Sequence, residues 1–386
     1  MRSVVILGLA LAVSSAFGCG DDSESPSGGG DTGGGAIGGG GEGGALGGGG
    51  AGGGPLDCTD PDTTTDAPCG SLSMATSDVT SRRRNHHTTL LAELPSGTFL
   101  YAIGGANVAS TLDEVDRFAI HDDGSLEASV SLPPIPVAEG GGTGALVGRT
   151  IVVAGGMTDT GTTDASFYAI LGDDGGITKW EDGGDVLARR MHPGAVAMDE
   201  TIWVLGGFDD PDVWDDIVSA KVAADGTLGS WAPAGTLPGK RSHFGVTRVG
   251  SDVYLTGGLE ASALDNPPFL KDTWHGRILD DGTIGAWEQG PDLPLGLATH
   301  ASFFYGGYLY VGGGIGEPAH QEDHIWRAAI QADRTLGAWE ELPVTFSVPR
   351  GHVHNLPVFK NHFYSVAGAV NFSLQSTDAI DIGTFE

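Results

Sequence analysis

An arginine and a histidine two residues apart recur along the chain, and both residue types can do chemistry. A guanidinium group binds carboxylates and phosphates through paired hydrogen bonds, and an imidazole can transfer protons or bind a metal. The histidines recur with the period of the chain itself, which is typical of packing, so the sequence predicts no metal site and no cofactor. For the arginines two interpretations stay open: they bind a ligand, or they bond carbonyls and aspartates of neighbouring repeats. The pairs are Arg84/His86, Arg190/His192, Arg241/His243 and Arg350/His352.

The elements that would position these pairs are short apolar strands ending in two glycines. One copy reads TIWVLGGF, from Thr201 to Phe208. Self-similarity at a spacing of about 50 residues is the period of kelch-type repeats. The first glycine of each copy is Gly104, Gly155, Gly206, Gly257 and Gly313, with Ala367 at this position in the last copy.

A tryptophan keeps the same phase and follows an Asp-Gly turn in several copies. Asp-Gly between two strand-like runs favours a tight hairpin, and a large aromatic side chain at a regular spacing is typical of packing between neighbouring sheets. Each repeat therefore predicts four strands, the last of which carries the tryptophan. These residues are Trp180, Trp231, Trp287 and Trp339.

The Gly-Gly, tryptophan and Arg-x-His phases together resemble the kelch-repeat proteins of the galactose oxidase central-domain superfamily, over residues 72–386. The resemblance implies an all-β fold: a six-bladed β-propeller with four-stranded blades. The tail stops after a third strand, and the segment before Arg84 keeps the tryptophan-strand spacing. We therefore expect an N-terminal strand to pair with the C-terminal blade and close the ring.

The resemblance also implies where a ligand could bind. In kelch proteins the Arg-x-His strand is the innermost one, so Arg84, Arg190, Arg241 and Arg350 would converge on the channel mouth and suit a carboxylate or an acidic sugar. The loops after Gly-Gly differ most between copies, and variable loops on a rigid scaffold are where recognition usually lies. Two of these loops offer the aromatic side chains Trp214 and Phe269.

Two functions from different classes remain open. The first is a binding module for a protein or a glycan, without catalysis. The second is a carbohydrate-active enzyme similar to the sialic acid mutarotases, which are six-bladed kelch propellers that bind an acidic sugar with arginines. Galactose oxidase chemistry is excluded, because its tyrosine is crosslinked to a cysteine and no cysteine follows Cys69. No catalytic residue is predicted, and Glu139 stands out only as an exception at an arginine position.

The N-terminal 56 residues have a different composition. Residues 1–18 are typical of an export signal, and SAFGC resembles a bacterial lipobox, which predicts lipidation of Cys19 and anchoring to the outer membrane. The alternative is ordinary cleavage near Ala16 to give a secreted protein. Residues 19–56 are a glycine-rich flexible tether. In an exported chain Cys58 and Cys69 are expected to form a disulfide within residues 57–71; the aspartates of this loop lack the spacing of a calcium-binding loop.

The net charge limits the range of partners. The chain of 386 residues has 50 acidic and 19 basic residues and a formal net charge of −31. Binding to nucleic acid needs a basic surface, so no nucleic-acid partner is expected. We expect a monomer that is tethered to the envelope by its lipid and meets an unidentified protein or glycan with one face.

Overall fold

The structure, a computed structural model, describes residues 57–260, 269–316, 320–353, 355–370 and 375–386. The predicted signal segment, Cys19 and the tether lie outside this range. The fold is all-β, as predicted, and none of the described residues lies in a helix. Among them, accordingly, there is no helix with the length and apolar character to cross a membrane.

The main strands form four-stranded antiparallel units, numbered here 1 to 6 in chain order of their inner strands. Units 3 and 4 form one continuous sheet through a single parallel pairing of Gly235 with Ile284. From the inner to the outer strand the bounds are Thr88–Leu94, Gly97–Ile103, Val115–Ile120 and Val130–Leu132 in unit 1; Thr143–Val147, Thr150–Ala154, Ala165–Ile170 and Glu181–Asp185 in unit 2; Gly194–Met198, Thr201–Leu205, Asp216–Lys221 and Ala232–Thr236 in unit 3; Gly245–Val249, Asp252–Leu259, Phe269–Ile278 and Ile284–Gln289 in unit 4; Ala301–Tyr305, Tyr308–Gly312, His324–Ile330 and Leu336–Thr345 in unit 5; Val358–Phe359, His362–Val366, Ile380–Phe385 and Leu72–Thr76 in unit 6.

Smaller ribbons follow the Gly-Gly turns of three units. Their strands are Met157–Thr158 and Gly161–Thr162 in unit 2, Phe208–Asp209 and Asp212–Val213 in unit 3, and Leu297–Ala298, Ile315–Gly316 and His320–Gln321 in unit 5.

The sequence of the second strands explains why they are central. All five residues of Thr201–Leu205 are buried, because neighbouring units cover both faces of the sheet, so apolar residues do not alternate with polar ones. Gly206 then turns the chain with a φ of 57°, and a Cβ at this position would lie 2.5 Å from the carbonyl oxygen of Arg241. Glycine satisfies both the left-handed backbone and the close approach.

The first strand of the domain closes the structure. Leu72–Thr76 pairs antiparallel with Ile380–Phe385, so the first strand of the described residues is the outer strand of unit 6. This confirms the expected closure. We call the end of the units that carries the Gly-Gly turns the glycine face, and the opposite end, with the tight turns between strands, the turn face.

Side chains of one unit anchor to the backbone of the next. Trp287 donates its indole N–H to the Thr236 carbonyl of unit 3 at 2.8 Å, and Trp180 donates to the Pro133 carbonyl after unit 1 at 2.9 Å. In the other direction Trp203 donates to Gly282 of the unit 4 hairpin at 2.8 Å, and Tyr364 of unit 6 donates to Gly124 of unit 1 at 3.0 Å. The predicted tryptophans therefore pack between neighbouring units, and the Tyr364 bond joins the last unit to the first.

The segment before the first strand packs on the turn face. Cys58 and Cys69 form a disulfide, and the Cys58 carbonyl accepts a hydrogen bond from Gly306 N at 2.8 Å in the turn between two strands of unit 5. Arg334 donates to the Pro61 carbonyl and to Asp62, both at 2.8 Å. The described part of the chain thus begins on the turn face, opposite the variable loops.

Candidate functional site

A closed ring of backbone hydrogen bonds lies where the six inner strands approach each other. Each member accepts from the next unit and donates to the previous one, with N···O distances from 2.6 to 3.1 Å. All members have a left-handed φ, between 51° and 74°, which is unfavourable for any residue other than glycine. We call this ring the belt; its members are His86, Gly141, His192, His243, Thr299 and His352.

The four imidazoles of the belt cluster in the interior. His86 stacks on His352 with ring centroids 3.8 Å apart, and His192 stacks on His243 at 3.7 Å. His86 and His192 face each other across Gly141 at 4.8 Å. All four histidines are buried. On the glycine side the ring of Phe208 stacks on His243 at 5.2 Å.

The four predicted ligand arginines lie behind the belt, inside the units. Each is buried to within 2 % of its surface or better. Arg190 donates to both oxygens of Asp216, at 3.0 and 2.9 Å, and to the Gly206 carbonyl at 2.8 Å. Arg84 bonds the carbonyls of its own Gly-Gly turn in the same way and pairs with Asp116. Burial lowers the pKa of Arg84 to about 10, and Asp116 opposes this shift.

The partners of the other two arginines complete the pattern. Arg241 pairs with Asp272 and Arg350 with Asp381, each at 2.9 Å. The partner acids lie at two positions of the third strand: Asp216 and Asp272 at the first, and Asp116 and Asp381 two residues further along the register. Unit 2, where Glu139 replaces the arginine, has Ala165 and Phe167 at these positions. Unit 5, where the belt places Leu297 at the arginine position, has His324 and Trp326. The acid is absent wherever the arginine is absent, which favours the structural role of these arginines over ligand binding.

Glu139 occupies the arginine position of unit 2 as a buried acid. Its Oε2 accepts a hydrogen bond from Gly142 N at 2.9 Å. Burial raises the pKa of Glu139 to about 8, and the bond from Gly142 opposes this shift. The carboxyl group therefore lies in the interior, and it fills the space that a Cβ at Gly156 would need.

A cavity of about 450 Å³ lies between the inner strands on the turn side of the belt. Every unit contributes to its lining, with Thr89, Ala145, Val196, Thr247, Ser302 and Leu356 among the residues. Thr59 of the disulfide loop also lines it. The belt and this loop therefore lie towards opposite ends of the channel.

The two predicted aromatic ligand residues lie on the glycine face and are half-buried. The indole N–H of Trp214 donates to the Arg189 carbonyl at 2.9 Å. Phe269 begins the third strand of unit 4 beside residues 261–268, which are not described. The two residues come from neighbouring units, and their use as ligand contacts stays a prediction.

Other apolar side chains on the glycine face are more exposed. Val108 is 65 % exposed and Leu187 is 53 % exposed, while Val137 and Met157 lie between them in sequence and are also exposed. The loops that carry them meet, since Met157 and Gly140 bond each other's backbone and Thr111 donates to Asp159 at 3.0 Å. Sequence reasoning missed this surface, because the exposure of an aliphatic side chain depends on loop geometry. We call Val108, Val137, Met157 and Leu187 the apolar loop surface.

Comparisons with known proteins show which sequences this chain is similar to. No family model matches the chain. It is 24 % identical to Kelch domain-containing protein 3 of Bos taurus over 64 % of this chain and 68 % of that protein, and 22 % identical to alpha-scruin of Limulus polyphemus over 38 % of this chain. Beta-scruin of the same species is 28 % identical over 36 % of this chain. The chain spans only 15 % of the length of alpha-scruin and 14 % of beta-scruin.

A solved structure described as the structure of YjhT superposes with a TM-score of 0.62 at 12 % identity, over 78 % of this chain and 95 % of that one. The chain is a kelch-repeat β-propeller. The belt then joins the inner strands of the propeller around its axis, and the glycine face carries the loops that differ from blade to blade.

Proposed function

We propose that the propeller is a binding module for a protein or a glycan, held at the cell envelope by its N-terminal lipid, and that it recognises its partner with the glycine face. The observation that carries this is the arrangement of the two ends. The described chain begins on the turn face, where the disulfide loop contacts Gly306 and Arg334, while the variable loops and the apolar loop surface lie on the other face. Because the described chain begins on the turn face, we infer that the propeller is held from that side and meets its partner with the glycine face.

The interior of the propeller supports binding without catalysis. The arginines that sequence reasoning placed at the mouth are bonded internally, so they contribute rigidity to the loops above them. A rigid scaffold with exposed apolar groups among polar loops is typical of recognition surfaces. The similarity to Kelch domain-containing protein 3 and the scruins supports the fold on which such a surface is built.

A face-specific pair of variants tests the proposal. Val108→Asp and Met157→Asp change side chains on the glycine face that are 65 % and 39 % exposed. Ile170→Asp and Leu279→Asp change exposed side chains on the turn face, at 43 % and 41 %. Glycan arrays and protein pull-downs with the purified full-length chain provide the ligand. We expect the glycine-face variants to weaken binding at least about 10-fold, which corresponds to about 1.4 kcal/mol. Equal loss in both pairs, or loss in the turn-face pair alone, would contradict the assignment of the face.

The enzyme alternative needs an acid or a base within reach of a bound ligand. Glu139 is the buried acid nearest in sequence to the belt, and its raised pKa is typical of catalytic acids. It is only 5 % exposed, and its Oε2 bonds Gly142 within its own unit. Turnover of an array ligand by the wild type, observed by NMR and lost in Glu139→Gln, would replace the binding module by the enzyme.

Anchoring is tested separately. Radiolabelled palmitate should label the chain and fail to label Cys19→Ser, and the wild type should sediment with outer membranes. A soluble wild-type protein without label would support the secreted alternative instead.

A further inference from the structure

We propose that the belt binds one divalent transition-metal ion on the channel axis, with His86, His192 and His352 as its ligands. One nitrogen of each of these imidazoles lies within 4.8 Å of the other two. All three residues are buried, with exposed fractions of 5, 2 and 8 %. Three imidazoles from three different units are thus held together in a space that bulk water does not fill.

The distances are within reach of a coordination sphere. Zinc binds histidine nitrogen at about 2.0–2.1 Å, so the nitrogens of a tetrahedral site are about 3.4 Å apart. The largest separation here, 4.8 Å, shortens to that value by small rotations of the side chains. The backbone need not move, since the belt of hydrogen bonds fixes the positions from which the three side chains start.

A neighbouring polar group orients one of the three proposed ligands in the way that metal sites require. Nδ1 of His86 hydrogen-bonds Oδ1 of Asn85. A metal-bound histidine generally uses its second nitrogen in such a bond, which fixes the ring. With Nδ1 of His86 engaged, its Nε2 is the nitrogen directed to a metal.

The ligand set selects the class of ion. Three neutral imidazoles suit zinc, nickel and copper, whereas calcium and magnesium prefer oxygen ligands. Three protein ligands also leave a fourth position for water or for a group from a partner. The net charge of −31 raises the local concentration of cations around the propeller.

A second cluster on the surface must be distinguished from the belt. His320 and His324 both bond the carboxylate of Glu322, and their side chains are 51 and 42 % exposed. This cluster could take up an ion at the surface. Variants of these two histidines therefore accompany the belt variants.

Cobalt(II) is the probe, because its absorption spectrum reports ligand type and geometry. The full-length chain, purified without a histidine tag, is titrated with Co²⁺, and the stoichiometry is checked by elemental analysis after dialysis. We expect one ion per chain with the spectrum of a four-coordinate, nitrogen-rich site. Zinc should displace the cobalt.

Glycine is the natural replacement in the belt, because Gly141 already occupies the equivalent position of unit 2 with a φ of 74°. His192→Gly and His352→Gly should each weaken Co²⁺ binding at least about 100-fold, since even outer partners of metal ligands contribute 10- to 100-fold. His243→Gly, in the belt but outside the three ligands, and the double variant His320→Asn/His324→Asn should change the affinity less than about 10-fold. Circular dichroism identifies any variant that does not fold.

Two results would overturn the site. One is a wild-type chain that binds no Co²⁺ at equimolar concentration, a measurement that needs no variant. The other is cobalt binding that the His320→Asn/His324→Asn variant loses and His192→Gly retains.

Discussion

At the scale of single residues, the arginines that the sequence suggests as ligand contacts form buried ion pairs inside the propeller. Arg350 and Asp381 are both 1 % exposed at their side chains and lie 2.9 Å apart. Asp381 also accepts from Ser347 N and Oγ, at 2.8 and 2.7 Å. The ion pair therefore fixes the connection that enters unit 6, and burial lowers the pKa of Arg350 while Asp381 opposes the shift.

Removing one member of this pair should destabilise the fold. We expect Arg350→Ala to lower the free energy of unfolding by about 3–5 kcal/mol, because Asp381 would be left buried without its counter-charge. Replacing both members, as in Arg350→Met/Asp381→Leu, should cost less than the single change. Arg83→Ala, whose side chain is 68 % exposed and pairs with Asp378, should cost at most about 1 kcal/mol. Urea unfolding measures all three, and equal costs for Arg350→Ala and Arg83→Ala would contradict the structural role.

Because of Glu139, the free energy of unfolding of the propeller should fall as the pH rises, whereas a carboxylate in an ion pair makes it rise. Burial raises its pKa from the ordinary glutamate value of 4.5 to about 8 on folding, so the folded state holds the proton more tightly than the unfolded state. The stability is complete below the unfolded pKa and is lost as the pH rises from about 4.5 towards 8. Glu139→Gln should remove this loss, so that the variant gains stability relative to the wild type between pH 5 and pH 8. Urea unfolding at both values tests this; a constant difference between the two proteins would show that Glu139 does not titrate in this range.

At the scale of elements, neighbouring units are joined by single donors on their second strands. Tyr101, Trp203, Tyr254 and Tyr364 each donate from a second strand to a carbonyl of the next unit's hairpin, and in all four the acceptor lies in the turn before the outer strand. Burial raises the pKa of the three tyrosines, so they are neutral donors at neutral pH. The repeated sequence thus encodes contacts between units as well as the units themselves.

Deleting one hydroxyl measures such a contact. Tyr364→Phe removes the bond to Gly124, the contact that joins unit 6 to unit 1, and Tyr254→Phe removes the equivalent bond between units 4 and 5. Each should cost about 1 kcal/mol, since a buried carbonyl loses its donor. Thermal unfolding of both variants provides the comparison, with Tyr168→Phe as a control on a third strand. No change in either variant would show that ring packing alone joins the units.

At the scale of the whole molecule, the repeat predicts the fold well because its signals are local. The Gly-Gly turns and the Asp-Gly hairpins need particular backbone angles, so the glycines mark strand ends directly. The role of Arg190 depends on which acid it meets, and Asp216 lies across a strand rather than beside it in sequence. That partner could have been found, because the unit in which Glu139 replaces the arginine has no acid at either partner position, Ala165 or Phe167. The belt could not have been found from the sequence, since no sequence pattern shows which backbone groups of separate units meet.

The five residues Leu72–Thr76 close the ring by pairing with the last strand, Ile380–Phe385. Ser77 N donates to the Ile380 carbonyl and Ser71 N to Glu386, both at 2.8 Å. Because donors alternate along an antiparallel pair, the N–H of Ala75, opposite Ile382, points into the ladder. Proline there removes this donor and does not fit the pairing.

Ala75→Pro should therefore lower the free energy of unfolding by about 1–3 kcal/mol for the ladder carbonyl that loses its donor, in addition to the misfit of the ring, and expose the edge of Ile380–Phe385. An exposed strand edge pairs with other chains, so the variant should associate at concentrations where the wild type does not. Ala75→Gly keeps the N–H and should cost only about 1 kcal/mol. Light scattering and urea unfolding separate the two effects. If Ala75→Pro is as stable and as monodisperse as Ala75→Gly, the ring is held by the side-chain contacts between units 1 and 6, and the N-terminal strand only covers an edge that is already closed.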